Sequence, residues 1–297
     1  MEYYKNTIKI ILILLVGTMY AQQEPNYTMY RHTMNVINPA YAGTDGSTSL
    51  TAHIRSNWVG VEDGAETQSF FFQKPMGKRV GIGVTLVNDK VFIESLTSIN
   101  IDFSYQVPLS ENTNLYFGLK AGGGNYQIDR NQLDNYSIFP NDPALENLDT
   151  GFRPNAGLGG YLLNDKYYVS LSMPNILLSS RINNDNGRNT YATSKAHIYL
   201  SGGYNFRLSD NTEFLPSTLI RYVGGAPLSA DITATFRFLE KFEVGASYRT
   251  DQAIAGLLSL KIADWATLGY AYDSSLRTEL GNVSDGTHEV LLRFNFN

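Results

Sequence analysis

Apolar and polar residues alternate one by one along most of this chain. Between His197 and Arg207, Ile198, Leu200, Tyr204 and Phe206 point one way, while His197, Tyr199, Ser201, Asn205 and Arg207 point the other. That is the period of an extended strand, whose successive side chains leave on opposite faces. The same holds for Ile99, Ile101, Phe103 and Tyr105 against Asn100, Asp102 and Ser104. It recurs for Leu228, Ala230, Ile232, Ala234 and Phe236 against Ser229, Asp231, Thr233, Thr235 and Arg237, and for Phe242, Val244, Ala246 and Tyr248 against Glu243, Gly245, Ser247 and Arg249. No segment shows a helical period. The pattern predicts fourteen strands, at residues 48–57, 67–74, 79–88, 93–107, 113–127, 153–163, 166–174, 194–207, 213–223, 227–239, 241–250, 252–262, 265–274 and 287–297.

The connections between these strands sort by length. Those after even-numbered strands are tight: Pro75–Lys78, Pro108–Asn112, Asn164-Asp165, Leu208–Asn211, the Glu240 junction and Ala263-Asp264. The long ones, Val59–Glu66, Ile128–Phe152, Pro174–Thr193 and Ser275–Gly286, all follow odd-numbered strands, although three other odd connections are short. An outer-membrane barrel has an even strand count, short periplasmic turns and longer external loops. A soluble secreted sandwich or lectin-like domain also alternates, but it does not predict this asymmetry. The expected fold is therefore all-β, a transmembrane antiparallel β-barrel of about fourteen strands and outer-membrane type, spanning residues 48–297.

Because lipid offers no partner for backbone N–H and C=O groups, a spanning sheet must close on itself and turn its apolar face outward. Polar groups then belong to the lumen. The alternation places Arg55, Asp102, Lys120, Arg207, Arg221, Asp231, Arg237, Glu243, Arg249, Lys261, Glu289 and Arg293 there, both signs mixed and able to pair across it. Eight strands leave room only for side chains and sixteen to eighteen leave a water channel, so fourteen can hold a peptide segment or plug.

The first 21 residues read as an export signal: Lys5 and Lys9 supply positive charge, Ile10–Val16 is a short apolar run, and Met19-Tyr20-Ala21 ends in a small residue. Cleavage is expected after Ala21. Residues 22–47 then form an irregular segment leading into the first strand. Within it Pro39 fixes its own φ and holds Asn38 away from the helical region, while Gly43 permits a turn. Such a segment has room to tuck into the lumen, with Tyr41 and Trp58 as packing anchors; alternatively Trp58 belongs to the interfacial aromatic girdle.

Composition removes several chemistries. The 297 residues include no cysteine, 43% hydrophobic residues, 12% aromatic residues and 17% charged residues, with a net charge of -5. Disulfide scaffolds, thiol catalysis, cysteine-ligated metals and acylation on cysteine are excluded. No basic patch supports nucleic-acid binding. The four histidines, His32, His53, His197 and His288, keep no metal-ligand spacing, and His53 and His197 read as lumen-lining residues rather than partners of a catalytic serine. Gly81-Ile82-Gly83 and Gly122-Gly123-Gly124 lie inside strand patterns, where glycine permits bending or close packing of the wall. The stretches Asn141–Asp149 and Asn183–Gly187 read as solvated loop. No enzymatic activity and no cofactor or metal are expected.

The string Asn38-Pro39-Ala40-Tyr41-Ala42-Gly43, followed by Arg55, Trp58 and Gly60, resembles the PorP/SprF family of type IX secretion outer-membrane proteins of Bacteroidetes. Pro75, Asp142-Pro143, Pro154-Asn155, Pro216-Ser217, Tyr248-Arg249, Gly269–Asp273 and His288–Val290 extend the resemblance over nearly the whole mature chain. It implies a part in protein export, gliding motility and surface attachment. The implied partners are a secreted adhesin with a type IX C-terminal domain and the periplasmic ring and peptidoglycan-binding components of that system. The competing expectation is a general diffusion channel, which a mixed-charge lumen also allows.

Overall fold

The computed structural model describes residues 25–129, 152–177, 195–250, 252–277 and 283–296. The expected export signal, the acidic stretch 141–149 with Asp142-Pro143, and the expected turn 183–187 lie outside the described residues.

The period-2 pattern becomes strands β1 (Thr48–Ser56), β2 (Glu66–Met76), β3 (Val80–Val91), β4 (Glu94–Ser110) and β5 (Thr113–Ile128). There follow β6 (Phe152–Asn164), β7 (Tyr167–Met173), β8 (His197–Tyr204), β9 (Phe206–Ser209), β10 (Thr212–Val223) and β11 (Ser229–Phe238). The last are β12 (Phe242–Arg249), β13 (Ala253–Ala263), β14 (Ala266–Ser275) and β15 (Thr287–Phe296). Apart from β8 and β9, neighbours in sequence pair antiparallel, and β15 pairs back onto β1, so the sheet closes. The strand expected at 194–207 is split at Asn205 into β8 and β9, which both lie on β10. Those two halves make one stave, giving a closed barrel of fourteen.

Closure brings Thr48 opposite Phe296 at one rim and Ser56 opposite His288 at the other. The short turns share the rim with Thr48 and Phe296, and the long connections occupy the opposite one. The wall is uneven at that second rim. The strands β4 and β5 run 17 and 16 residues, whereas β7 runs 7.

Outward positions such as Ile101, Leu119, Leu171 and Ile232 are apolar and exposed, as a lipid-facing wall requires. Near the short-turn rim Tyr204, Phe206, Phe214, Phe236, Phe238 and Phe242 follow one another ring against ring, with centroids 4.4–6.5 Å apart. Amphipathic or bulky rings at the edge of the apolar band are what a membrane interface selects. The protein's packed core is on the other side of the wall, inside the lumen. There Tyr27, Tyr30, Met34, Ile37, Ala40 and Tyr41 pack against Tyr116, Tyr161, Tyr199 and Leu219 of the staves.

Residues 25–47 supply that filling. They include an α-helical turn, Met34–Ile37, and a 3-10 turn, Pro39–Tyr41. Asn38, held extended at φ -140 by the proline after it, caps the second turn by accepting from Ala40 N at 2.9 Å. Pro39 sits at the first helical position, where its missing N–H costs nothing.

Candidate functional site

The lumen segment, residues 25–47, crosses the barrel from rim to rim. Pro25 and Asn26 lie toward the long-loop rim, where Asn26 bonds Arg221 of β10. At the other end Asp45 reaches both Gln73 and Arg293 close to the start of β1. Most side-chain contacts along the way use inward residues of the staves.

A clamp of opposite charges holds the upper part. Arg55 Nη1 donates to Glu289 Oε2 at 2.6 Å, and its Nη2 donates to Asp273 Oδ2 at 2.8 Å. The same two carboxylates take the lumen segment: Thr28 N and Met29 N donate to Glu289 at 2.9 Å each, and Thr28 Oγ1 donates to Asp273 at 2.7 Å. His53 Nε2 stands 2.9 Å from Glu289 Oε1. All these groups are buried. A buried carboxylate is stable only when its lone pairs are filled, so each anion requires both the arginine and the segment.

The family-type string is received by a row of wall glycines. A Cβ on Gly118 of β5 would overlap the backbone of Ala40, one on Gly159 of β6 would overlap the Asn38 side chain, and one on Gly81 of β3 would overlap the carbonyl of Ala42. On the segment itself Gly43 has φ +74, and a Cβ there would lie 2.8 Å from Gly81 Cα. Polar groups complete the seat. Asn38 Nδ2 donates to Ser170 Oγ at 2.7 Å and to the Gly160 carbonyl at 3.0 Å, while Ser172 and Ser104 donate to the carbonyls of Ile37 and Ala42 at 2.6 and 2.5 Å. Tyr41 meets Tyr161 edge to face at 5.5 Å.

Asn38, Pro39, Tyr41 and Gly43 are therefore assembled in one socket, and Arg55 lies in the clamp above it. Trp58 is elsewhere. It sits in the β1–β2 connection with φ 54, its ring 6.2 Å from that of Phe92, and it lines the long-loop mouth rather than joining Tyr41.

The lumen charges pair, but along the wall instead of across the open lumen. Asp102 and Lys120 are register partners on β4 and β5, 2.8 Å apart, and Lys120 also donates to the Asn35 carbonyl at 3.3 Å. Asp231 and Arg249 are register partners on β11 and β12 at 2.6 Å. Arg237 bridges Glu213 and Glu243, its neighbours on either side, at 3.0 and 2.7 Å. The expectation of pairing across the lumen fails because the segment occupies the middle. Two residues also depart from the buried lumen. Arg207 stands at the short-turn rim, 70% exposed and paired with Asp210, because its strand is four residues long and ends at the turn. Lys261 likewise turns to Asp264 at 3.0 Å.

Sequence reasoning missed the segment's own ligands, Thr28, Met29, Tyr30, Asn35 and Asp45. One signal was present: Tyr27, Tyr30, Met34, Ile37 and Tyr41 recur every three or four residues, which is the spacing of successive turns with one packed face. It is obscured because Thr28, Thr33, Asn35 and Asn38 on the other faces are buried too, against a polar wall.

Above the segment the long-loop mouth encloses a vestibule of about 520 Å3, bounded by Asn26, Arg55, Trp58, Tyr126, Arg249 and Arg277 among others. A closed wall with an apolar outside and a polar, chain-filled inside defines a plugged outer-membrane β-barrel. The sequence matches the family described as type IX secretion system membrane protein PorP/SprF over residues 19–294, and the chain belongs to that family. No functionally curated protein matches it. Among solved structures it is similar to the outer membrane protein Omp33 of Acinetobacter baumannii, at 10% identity and TM-score 0.48, covering 84% of this chain and 99% of that one. It is also similar to the toluene transporter TbuX of Ralstonia pickettii, at 12% identity and TM-score 0.48, covering 88% and 92%. The monoaromatic hydrocarbon channel CymD gives 13% identity and TM-score 0.44, covering 88% and 91%.

Proposed function

We propose that this barrel is a non-enzymatic component of the type IX secretion and gliding apparatus. It is exported on the signal 1–21, resides in the outer membrane, and assists export or surface anchoring of a secreted adhesin that carries a type IX C-terminal domain. The observation that carries the reading is the family match over residues 19–294. The filled lumen supports it over a diffusion channel, since an interior hydrogen-bonded to the barrel's own chain obstructs the path a solute would take. Asn38, Pro39, Tyr41, Gly43 and Arg55 serve in this reading to seat the plug, and Trp58 to shape the outer mouth. The periplasmic ring and peptidoglycan-binding components would meet the short-turn rim.

Deletion of the gene followed by mass spectrometry of the secreted and surface proteins tests the reading. Loss of one or more proteins with a type IX C-terminal domain is expected. Unchanged export and display of every such protein would sink it. A general diffusion channel is disfavoured by the same filled lumen, and planar-bilayer recordings are expected to be silent.

A further inference from the structure

The vestibule at the long-loop mouth is lined without an excess of either charge. Among its described lining residues are three cations, Arg55, Arg249 and Arg277, and three carboxylates, Asp89, Glu94 and Asp273. All six are already engaged: Arg55 bridges to Asp273 and Arg249 to Asp231, Thr67 donates to Asp89 at 2.6 Å, and Arg277 and Glu94 have partners as well. A cavity so matched favours a neutral occupant. Its volume is about 520 Å3. Since roughly 150 Å3 takes a benzene ring, that leaves room for about two or three six-membered rings.

Neutral hydrogen-bonding groups remain open on the same lining. Asn57 Oδ1 accepts from Arg55 Nε at 3.0 Å, whereas its Nδ2 donates to no described residue. The side-chain amide of Gln252 is unpaired among the described residues, although its backbone N–H and carbonyl are both bonded. Both side chains belong to residues that line the vestibule. Asn57 follows β1 and Gln252 precedes β13, three staves away in the sheet. At the usual strand spacing those staves stand about 14 Å apart.

Beside Asn57 the mouth holds an aromatic pair on strained backbone. Trp58 has φ 54 and Phe92, in the β3–β4 turn, has φ 52, with their rings 6.2 Å apart. Asp63, at φ 53, ties the two turns together by accepting from Phe92 N at 3.3 Å. Bulky side chains avoid this left-handed region, and strain of this kind collects at ligand clamps. Of the pair, Trp58 lines the vestibule.

An aromatic plane next to open amides, in a cavity without net charge, complements a polyhydroxylated ring. The C–H face of such a ring packs on the electron-rich indole, and its hydroxyls both donate to and accept from amides. We propose that the vestibule binds a neutral saccharide, one ring stacked on Trp58 and its hydroxyls bonded to Asn57 Nδ2 and the Gln252 amide. With the short turns in the periplasm the mouth opens to the exterior, where the ligand comes from the cell's own outer-leaflet glycolipid or from free polysaccharide. This site goes beyond the secretion reading and stands even if deletion leaves export unchanged.

The chain has two tryptophans, and Trp265 lies in the β13–β14 turn at the opposite rim, stacked on Phe294. Trp265→Phe therefore leaves Trp58 as the reporter. This full-length variant, in a detergent without a sugar head group, is titrated with cellotriose, laminaritriose, mannotriose and chitotriose, and with polysaccharide released from the cell's own glycolipid by mild acid. At least one is expected to shift Trp58 emission saturably. Response to a trisaccharide supports the site with free polysaccharide as the source, and response to the released polysaccharide alone supports it with the glycolipid as the source. In calorimetry with the same ligand, Trp58→Gly, whose backbone adopts φ 54 freely, is expected to weaken binding at least about tenfold while keeping heat-modifiable migration. Gln252→Leu is expected to weaken it too. Absence of binding by every saccharide overturns the proposal. So does binding unchanged in both Trp58→Gly and Gln252→Leu, trigalacturonate bound more tightly than every neutral saccharide, or N-acetyl-glycyl-serinamide bound as tightly as the best of them.

Discussion

Gly118 and Ala40 touch backbone to backbone, so closely that a methyl group on the glycine would overlap the alanine. The contact joins a stave to the lumen segment at the centre of the socket. Glycine is required at 118 because the opposing chain takes the space a Cβ would need, whereas Gly256 has nothing within 4 Å of such an atom. Gly118→Val is therefore expected to push Pro39 and Ala40 out of register, destabilising the docked segment by about 1–3 kcal/mol as overpacking does. Gly256→Ala is the control. Limited proteolysis of the segment in reconstituted protein reads the difference, and equal protection in both variants would refute the fit.

Arg55→Met leaves Glu289 and Asp273 buried with one partner each fewer. Removing one member of a buried ion pair costs about 3–5 kcal/mol, concentrated here on the clamp that holds Thr28 and Met29. The expected result is a barrel that still inserts, shown by heat-modifiable migration, but whose bilayer conductance rises from silence to discrete openings. Persistent silence with an unchanged melting temperature would mean the clamp is not what retains the segment. The double variant Arg55→Met with Glu289→Gln should be less damaging than the sum of the two single changes, because Glu289 no longer leaves an uncompensated charge and Asp273 alone does.

The threading of the segment sets which of its ends faces which side. With the short turns in the periplasm, Asn26 lies toward the cell exterior and Asp45 toward the periplasm. The chain has no cysteine, so single cysteines report cleanly. Asn26→Cys should react with a membrane-impermeant maleimide on intact cells, and Asp45→Cys only after the outer membrane is permeabilised. The reverse order would overturn the orientation.

Depth along the wall should grade the cost of a charge facing lipid. Ile101 lies in the middle of its stave, paired with Val84 and Ala121, whereas Phe238 ends its strand beside the short-turn rim. Ile101→Arg is expected to cost about 2–4 kcal/mol and Phe238→Arg about 0–1 kcal/mol. Urea unfolding from lipid vesicles gives both values, and equal costs would contradict the assigned membrane depth.

The staves were legible because a wall between lipid and lumen imposes a two-residue period everywhere, and no tertiary contact competes with it. Asn205 was not legible as a break, since alternation continues through it from Tyr204 to Phe206 and only the pairing with β10 registers the interruption. For the same reason inward charges such as Asp102 and Glu243 could be placed on a face but not given partners. Partners depend on register between strands, and register needs the closed sheet. Arg207 was assigned correctly to the inward parity, yet parity carries no information about depth, and depth places it in solvent. The contents of the lumen were least legible. Residues 25–47 are stabilised by the wall's polar side chains and glycines, so their conformation is written partly in Gly118, Gly159, Ser104 and Ser172, far away in sequence.

The seam between β1 and β15 carries both Arg55 and Glu289, and the lumen segment bonds to the second of these through Thr28 and Met29. Leu291, on the same final strand, packs on Met29. The stave that closes the sheet onto β1 is thus the one that fastens the lumen segment. A chain truncated before Thr287 would lack the lock as well as the closing stave, so sealing the sheet and fastening the lumen segment draw on the same strand. Quality control that recognises an open seam would, without any separate sensor, also reject an empty lumen.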